Sequence, residues 1–189
     1  MPPILDWPLP YAERLAARTA PAIDLVVIHC TELPDLAAAR EYGERVLYAD
    51  GTGNSGHYYI DRDGSGYRFV QETRVAHHIR GHNEHAIGIE LINRGRWPHW
   101  LDTRHQSMSE PYPAAQIDAL LVLLRDLQAR LPGLRRIAGH EDLDRTRVPA
   151  SDDATQQVWR KRDPGPRFPW DAVLADRTWQ RIGTPGTPR

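Results

Sequence analysis

Two short apolar runs limit the folds open to this chain more than any other feature. Residues 23–30 (IDLVVIHC) and residues 86–93 (AIGIELIN) are almost continuously apolar and rich in β-branched side chains. A strand with one solvated face alternates apolar and polar residues, whereas a strand covered on both faces does not. We therefore predict that both runs are central strands of a sheet with helices on its two sides.

The remaining pattern alternates helices, strands and turns around one hairpin. It indicates an α/β fold: a single domain with a central mixed β-sheet flanked by helices. The predicted elements are a helix over residues 34–48, a β-hairpin over 57–70 that turns at Asp63-Gly64, a helix over 113–131, a strand over 135–140 and a short helix over 170–179. In the first of these helices, one face would carry Leu36, Ala39, Gly43, Val46 and Leu47.

The connecting segments and the two ends complete the predicted organisation. Residues 94–111 and 141–169 are predicted as loops, and loops of that length are usually functional or disordered. A chain of 189 residues suits one hydrophobic core. We therefore predict an N-terminal arm over residues 1–22, one catalytic domain over 23–180 and a flexible tail over 181–189.

Composition narrows the classes of protein to consider. The formal net charge of -1 gives no strong global field for nucleic acid or an anionic membrane, and a single cysteine excludes an intramolecular disulfide framework. No apolar run approaches the roughly 18 to 20 residues of a membrane span, and the proline-rich start lacks the basic region of a signal peptide. We expect a cytoplasmic monomer that binds neither nucleic acid nor membranes.

Three distant residues suggest a metal site. His29 and His140 each end a predicted strand, and Asp163 lies in a loop stiffened by prolines, RKRDPGPRFPW. Two imidazoles and one carboxylate suit a catalytic zinc ion and leave a fourth coordination position open, although cobalt and manganese accept the same donors. Taken singly, a histidine at a strand end is more often a hydrogen-bonded structural residue, and an aspartate before proline is most often a turn residue.

Five motifs, in order, carry a resemblance that favours the metal site. VVIHCTE, SGHYYIDRDG, IGIELIN, AGHEDL and RKRDPGPRFPW resemble the type-2 N-acetylmuramoyl-L-alanine amidases, a family that includes the AmpD recycling enzyme and is related to peptidoglycan recognition proteins and phage amidases. The resemblance covers about residues 24–170. It implies that His29, His140 and Asp163 bind Zn²⁺, and that the substrate is a muropeptide or peptidoglycan.

The same resemblance assigns further roles. Glu90 is implied as the general base, and a glutamate in an apolar strand is costly unless it is paired or lines a cleft; the alternative is an edge residue facing solvent. Lys161 is implied to stabilise the oxyanion, and Arg160 to bind a carboxylate of the stem peptide; the alternative is a solvated basic loop. His78 occupies a family histidine position and is expected to contact the substrate.

These assignments predict a reaction and leave alternatives. The expected function is zinc-dependent hydrolysis of the amide bond between N-acetylmuramic acid, in its 1,6-anhydro form, and L-alanine during cell-wall recycling. A lytic amidase that acts on intact peptidoglycan is the alternative, and a binding module without catalysis is disfavoured because all three ligands are present. Cys30 follows His29 directly on a strand, so we expect its thiol to face the core rather than the site.

Overall fold

A computed structural model describes residues 3–183 of the chain, and its strands confirm the predicted mixed sheet. The strands are β1 (Leu5–Asp6), β2 (Leu25–Cys30), β3 (Tyr58–Ile60), β4 (Gly66–Arg68), β5 (Ala86–Leu91), β6 (Arg136–Gly139), β7 (Arg147–Pro149), β8 (Gln157–Trp159) and β9 (Gln180–Arg181). In this range seven strands form one sheet in the order β1-β4-β3-β5-β2-β6-β9, and β7 pairs with β8 in a separate hairpin. The helices are α1 (Leu36–Glu44), α2 (Ala114–Arg130), α3 (His140–Leu143) and α4 (Trp170–Val173).

The two apolar runs form the centre of the sheet, as predicted. All six residues of β2 are buried, and β2 pairs in parallel with both β5 and β6. Successive side chains of a strand point to opposite faces. Val26 and Ile28 belong to the core beneath α2, whereas Leu25 and Val27 belong to a separate cluster on the other face. His29 lies on that second face, which therefore carries the site.

Helix α2 covers one face of the sheet and confirms the helix predicted from leucine spacing. It begins after Pro113, whose fixed φ and missing N–H suit a helix start. Its fully buried leucines are Leu120, Leu123, Leu124 and Leu127. Each leucine side chain removed from water contributes on the order of 1.5–3 kcal/mol, so this stripe is a main source of stability.

Helix α1 is shorter than the sequence pattern predicts. Asp35 caps its start by accepting a hydrogen bond from the Ala38 N–H at 2.8 Å, but the helix ends at Glu44 rather than near Tyr48. A turn around Asp50, whose carboxylate accepts from Thr52, reverses the chain directly afterwards. The prediction that Val46 and Leu47 share the buried helix face was therefore wrong, because both are exposed.

Residues 141–169 are not the continuous loop that the sequence predicts. Helix α3 begins at His140, and β7 and β8 form an antiparallel hairpin closed by a turn at Asp153. Each strand of this hairpin has only three residues, which is too short a run to show the apolar alternation by which strands are recognised. The segment 94–111, in contrast, is a long connection with a single short 3-10 turn, Thr103–His105, as predicted.

The two ends of the chain are tied to the sheet within the described residues. Strand β1 extends the sheet by pairing with β4, and Leu9, Tyr11 and Leu15 bury their side chains behind it. The helix predicted over 170–179 ends at Val173, because the chain then extends to pair β9 with β6. Of the predicted tail, residues 184–189 lie outside the described range. None of the helices among residues 3–183 has the length and apolar character that a membrane crossing requires.

Candidate active site

The three predicted ligands meet at one point on the second face of the sheet. The Nδ1 atoms of His29 and His140 lie 3.0 Å apart, and Asp163 Oδ2 lies 3.0 Å from the first and 3.1 Å from the second. All three residues are at most 3% exposed. Residues separated by up to 134 positions thus point three donor atoms at a common centre.

Strand register explains why the two histidines converge. Strands β2 and β6 run in parallel with Ile28 opposite Gly139, so the next residue of each chain segment, His29 and His140, emerges at the same edge. Asp163 approaches from the loop after β8. Its backbone carbonyl accepts a hydrogen bond from the Glu141 N–H at 2.9 Å, which anchors the loop to α3.

The protonation states of two ligands suit a cation. Burial outweighs the contact with Asp163 and lowers the pKa of His29 to about 4, so the ring is neutral at pH 7. Burial works against ionisation of Asp163, but the two imidazoles and the charge of Lys161 hold its pKa well below the usual range. Metal ligands must be neutral imidazoles and ionised carboxylates.

The geometry fits a zinc ion. Tetrahedral zinc with bonds of about 2.0–2.1 Å separates its ligand atoms by about 3.3 Å. The triangle formed by His29 Nδ1, His140 Nδ1 and Asp163 Oδ2 has sides of 3.0, 3.0 and 3.1 Å, which is close to that separation. His140 Nε2 and Asp163 Oδ1 are buried without a hydrogen-bond partner among the described residues. Buried polar atoms that lack partners are uncommon, and a cation bound to the Asp163 carboxylate would offset the desolvation of its unpartnered oxygen. The buried group is consistent with the zinc site implied by the sequence.

Glu90 lies beside the triangle, again through register. It is directly opposite His29 in the parallel pairing of β2 and β5, and its Oε1 lies 4.0 Å from His29 Nδ1. Burial, reinforced by the charge of Asp163, raises the pKa of Glu90 to about 8. A Cβ at Gly56 would lie 2.8 Å from Glu90 Cγ, so glycine at this position leaves the carboxyl its space. The Glu90 carboxyl has no hydrogen-bond partner within residues 3–183, so no such bond holds its proton.

A cleft of about 730 Å³ opens above these groups. Lys161 and Arg160 both line it, which brings the basic loop to the site as predicted. Lys161 forms no ion pair with the described residues. Arg160, however, pairs with Asp144, so its guanidinium is partly engaged within the protein. Arg80, which the sequence analysis did not single out, also lines the cleft and adds to its positive charge.

His78 supports a ligand from behind. Its Nδ1 lies 3.0 Å from His29 Nε2, the ring nitrogen that faces away from the metal centre. A Cβ at Gly88 would lie 2.6 Å from the His78 ring, so glycine in β5 is required for this approach. If His29 binds a cation through Nδ1, its proton resides on Nε2 and is donated to His78. Outer partners of this kind orient metal ligands. Substrate contact by His78, which also borders the cleft, stays a prediction.

Replacing His78 by alanine separates the two roles. We expect zinc affinity to fall by about 10- to 100-fold, the usual cost of losing an outer partner of a metal-binding histidine. The measurement is chelator competition on purified protein, with His82→Ala as a control in the same loop. If His78 contacts only the substrate, zinc affinity would be unchanged and KM would rise instead.

The thiol of Cys30 is not one of the converging donor atoms. It is buried, and burial raises the pKa of its thiol well above the usual value. As the neighbour of His29 on β2 its side chain points to the opposite face, which confirms the sequence-based expectation. A thiol that stays protonated is a poor nucleophile.

Comparison with known proteins agrees with this geometry. A sequence profile described as N-acetylmuramoyl-L-alanine amidase matches residues 19–166, most of the chain. The chain belongs to the N-acetylmuramoyl-L-alanine amidase family. It is 30% identical over 175 residues to N-acetylmuramoyl-L-alanine amidase AmiD from Escherichia coli K12, covering 85% of this chain but 55% of AmiD. The chain thus spans about half the length of this relative.

Solved structures of the amidase family share the fold. The amidase LysC from Clostridium intestinale superposes with a TM-score of 0.67 at 20% identity, over 95% of this chain and all of LysC. AmiD from E. coli superposes with a TM-score of 0.62 at 25% identity, over 87% of this chain and 61% of AmiD. That AmiD structure is a complex with the substrate anhydro-N-acetylmuramic acid-L-Ala-D-gamma-Glu-L-Lys.

Some residues of this amidase-family site have no individual signal in the sequence. Gly56 and Gly88 matter through the space they leave, and Arg96 and Glu32 form a buried ion pair across the cleft floor. Glu32 ends the quoted motif VVIHCTE, but nothing in that motif indicates its partner, and Arg96 belongs to no motif quoted above. A pattern that could have indicated them is the long segment 94–111, whose length suggests a function.

Proposed function

We propose that this chain hydrolyses the amide bond between N-acetylmuramic acid and L-alanine in peptidoglycan fragments. The observation that carries the proposal is the convergence of His29, His140 and Asp163 beside Glu90 at the floor of a large cleft. Family membership and the anhydromuropeptide bound by AmiD support a substrate with the 1,6-anhydro sugar.

The two histidines and the aspartate would hold Zn²⁺. Zinc in such a site supplies Lewis acidity and lowers the pKa of a coordinated water toward about 7. The three side chains leave one side of the triangle facing the cleft, where a substrate carbonyl and a water have access. Strand ends and an anchored loop keep the donor atoms in place, which a precise reaction geometry requires.

Glu90 serves as general base and then general acid. It takes a proton from the attacking water as the water adds to the lactyl carbonyl, and passes it to the nitrogen of the leaving L-alanine. Burial raises the pKa of Glu90 from its usual acidic range toward neutral pH, which favours a group that both accepts and returns a proton. The carboxyl position, 4.0 Å from a ligand atom, places it within reach of a water at the centre.

Lys161 and Arg160 supply positive charge. The Lys161 ammonium stabilises the negative oxygen of the tetrahedral intermediate, because it borders the cleft next to Asp163 and has no carboxylate partner in the described chain. Arg160 binds a carboxylate of the stem peptide by a charge-assisted hydrogen bond. Its pairing with Asp144 holds the guanidinium in position at the cleft wall.

Mass spectrometry of defined substrates tests the proposal. We expect an anhydromuropeptide to yield the free sugar acid and a peptide with N-terminal L-alanine, and a chelator to stop the reaction. Zinc added after chelation restores it. Absence of these two products with zinc-loaded protein would contradict the proposal. Comparable cleavage of intact sacculi would favour the alternative of a lytic amidase over a role in cell-wall recycling. The cytoplasmic location stays a prediction.

A further inference from the structure

A buried arginine lies under the cleft, and the free-energy cost of burying its charge needs an explanation. The Arg96 side chain is 1% exposed and belongs to the segment 94–111 between β5 and α2. It forms two parallel bonds to Glu32, from Nε to Oε1 at 2.6 Å and from Nη2 to Oε2 at 2.8 Å. Burying such a pair costs desolvation energy that packed apolar residues would avoid. Stability of the fold alone therefore does not explain this ion pair.

The other donors of the same guanidinium bind the loop that carries Lys161. Arg96 Nη1 donates to the Trp159 carbonyl at 2.7 Å, and Nη2 donates to the Arg160 carbonyl at 3.3 Å. Nη1 also donates to the side chain of Gln106 at 3.3 Å. Both carbonyls come directly before Lys161. One planar group thus joins the end of β2 to the basic loop.

The backbone around Glu32 is arranged for this contact. Glu32 has a φ of 49°, a left-handed conformation that is uncommon for residues other than glycine. Its carbonyl accepts a hydrogen bond from the Trp100 side chain at 3.0 Å, which secures the conformation. A Cβ at Gly95 would lie 2.7 Å from Glu32 Cγ, so the segment can approach only with glycine before Arg96.

The basic loop is held on both sides of Lys161. Before Lys161, Arg96 binds the carbonyls of Trp159 and Arg160, and Arg160 itself bonds Thr146 through its N–H and Asp144 through its guanidinium. After Lys161, the Glu141 N–H binds the Asp163 carbonyl, and loss of the Arg96 contacts leaves this bond intact. Loosening Arg96 should therefore disturb Lys161 more than the ligand Asp163.

We propose that Arg96, oriented by Glu32, is the positioning residue that sets Lys161 over the reacting carbonyl. This inference rests on the amidase function proposed above and gives the segment 94–111 a role: it delivers Arg96 to the base of the catalytic loop. Because the Arg96 side chain is 1% exposed and all of its nitrogens donate within the protein, the inference predicts a loss in kcat with little change in KM or in zinc binding.

The substitution Arg96→Lys tests the inference, because lysine keeps the charge but cannot bind Glu32 and two carbonyls at once. We expect kcat to fall by about 10²-fold, the cost of a small misplacement at a reacting centre. Zinc stoichiometry and affinity should match the wild type, and amide hydrogen exchange should accelerate at residues 160–162. Arg104→Lys, in the same segment but exposed, is the matched control.

A double-mutant cycle with Lys161→Met gives the decisive comparison. If Arg96 acts through Lys161, Arg96→Lys costs about 10²-fold in the wild-type background and almost nothing beside Lys161→Met. Equal losses in both backgrounds, or full activity of Lys161→Met, would overturn the inference while the proposed function stands. Inactive zinc-loaded wild type would overturn the proposed function itself.

A second variant covers the case in which Arg96→Lys does not fold. Replacing Arg96 and Glu32 together by methionine removes both buried charges and keeps comparable volume, a change that folded proteins often tolerate. The same loss of kcat with retained zinc supports the inference, and unchanged kcat contradicts it, because the two loop carbonyls have then lost their donor without consequence.

Discussion

Asp163→Ala is expected to abolish zinc binding and amidase activity together. Asp163 Oδ2 is within 3.1 Å of both histidine Nδ1 atoms, so its removal takes away one of the three ligands and leaves two imidazoles. Lewis-acid stabilisation is worth several kcal/mol, and we expect kcat/KM to fall by about 10³-fold or more. The measurements are zinc content by elemental analysis and product formation from a defined muropeptide.

The control for this substitution is Asp171→Ala, which removes an exposed carboxylate from α4 a few residues away. It should retain one zinc per chain and wild-type activity. Thermal unfolding of Asp163→Ala should resemble that of chelated wild type, because both lack the same cation. An Asp163→Ala protein that keeps stoichiometric zinc and its activity would refute the assigned ligand set.

Glu90→Gln is expected to reduce kcat by about 10²- to 10⁴-fold, the usual contribution of a general acid–base group. The amide has nearly the same shape, but it cannot accept the water proton. Zinc content and KM should change little, because Glu90 is a neighbour of His29 at 4.0 Å rather than one of the three converging ligands. Steady-state kinetics with metal analysis of the same samples measures both quantities.

The matched control is Glu84→Gln, an exposed glutamate in the turn that precedes β5. It should leave kcat, KM and zinc content unchanged. Circular dichroism should show the same folded state for Glu90→Gln, since a neutral amide is less costly to bury than a carboxylate. Wild-type kcat in Glu90→Gln would mean that another group moves the proton.

The elements that the sequence predicted well are those whose signal is local and strong. The runs around His29 and Glu90 are continuous apolar strands, and α2 has unbroken leucine spacing between prolines. The elements that it missed take their structure from partners elsewhere. Strand β9 exists because β6 offers an unpaired edge, and each strand of the β7–β8 hairpin has only three residues, too few to show a pattern.

The candidate site divides in the same way. The ligand types and Glu90 could be predicted because each lies in a motif that a resemblance connects to a known chemistry. The positions of His78 behind His29 and of Arg96 under the basic loop could not, because both depend on contacts across 49 or more positions. The resemblance implied Arg160 as a substrate contact, and only the structure shows its pairing with Asp144.

The sequence by itself determined two buried central strands, one long packing helix and the donor set of a candidate metal site, because hydrophobic periodicity and reactive side chains are properties of short segments. The tertiary structure alone decided the distances. Parallel register places His29 opposite Glu90, and it brings His140, the residue after Gly139, next to His29. A separately anchored loop brings in Asp163. Donor atoms about 3 Å apart are a consequence of how strands pair, which no single segment encodes.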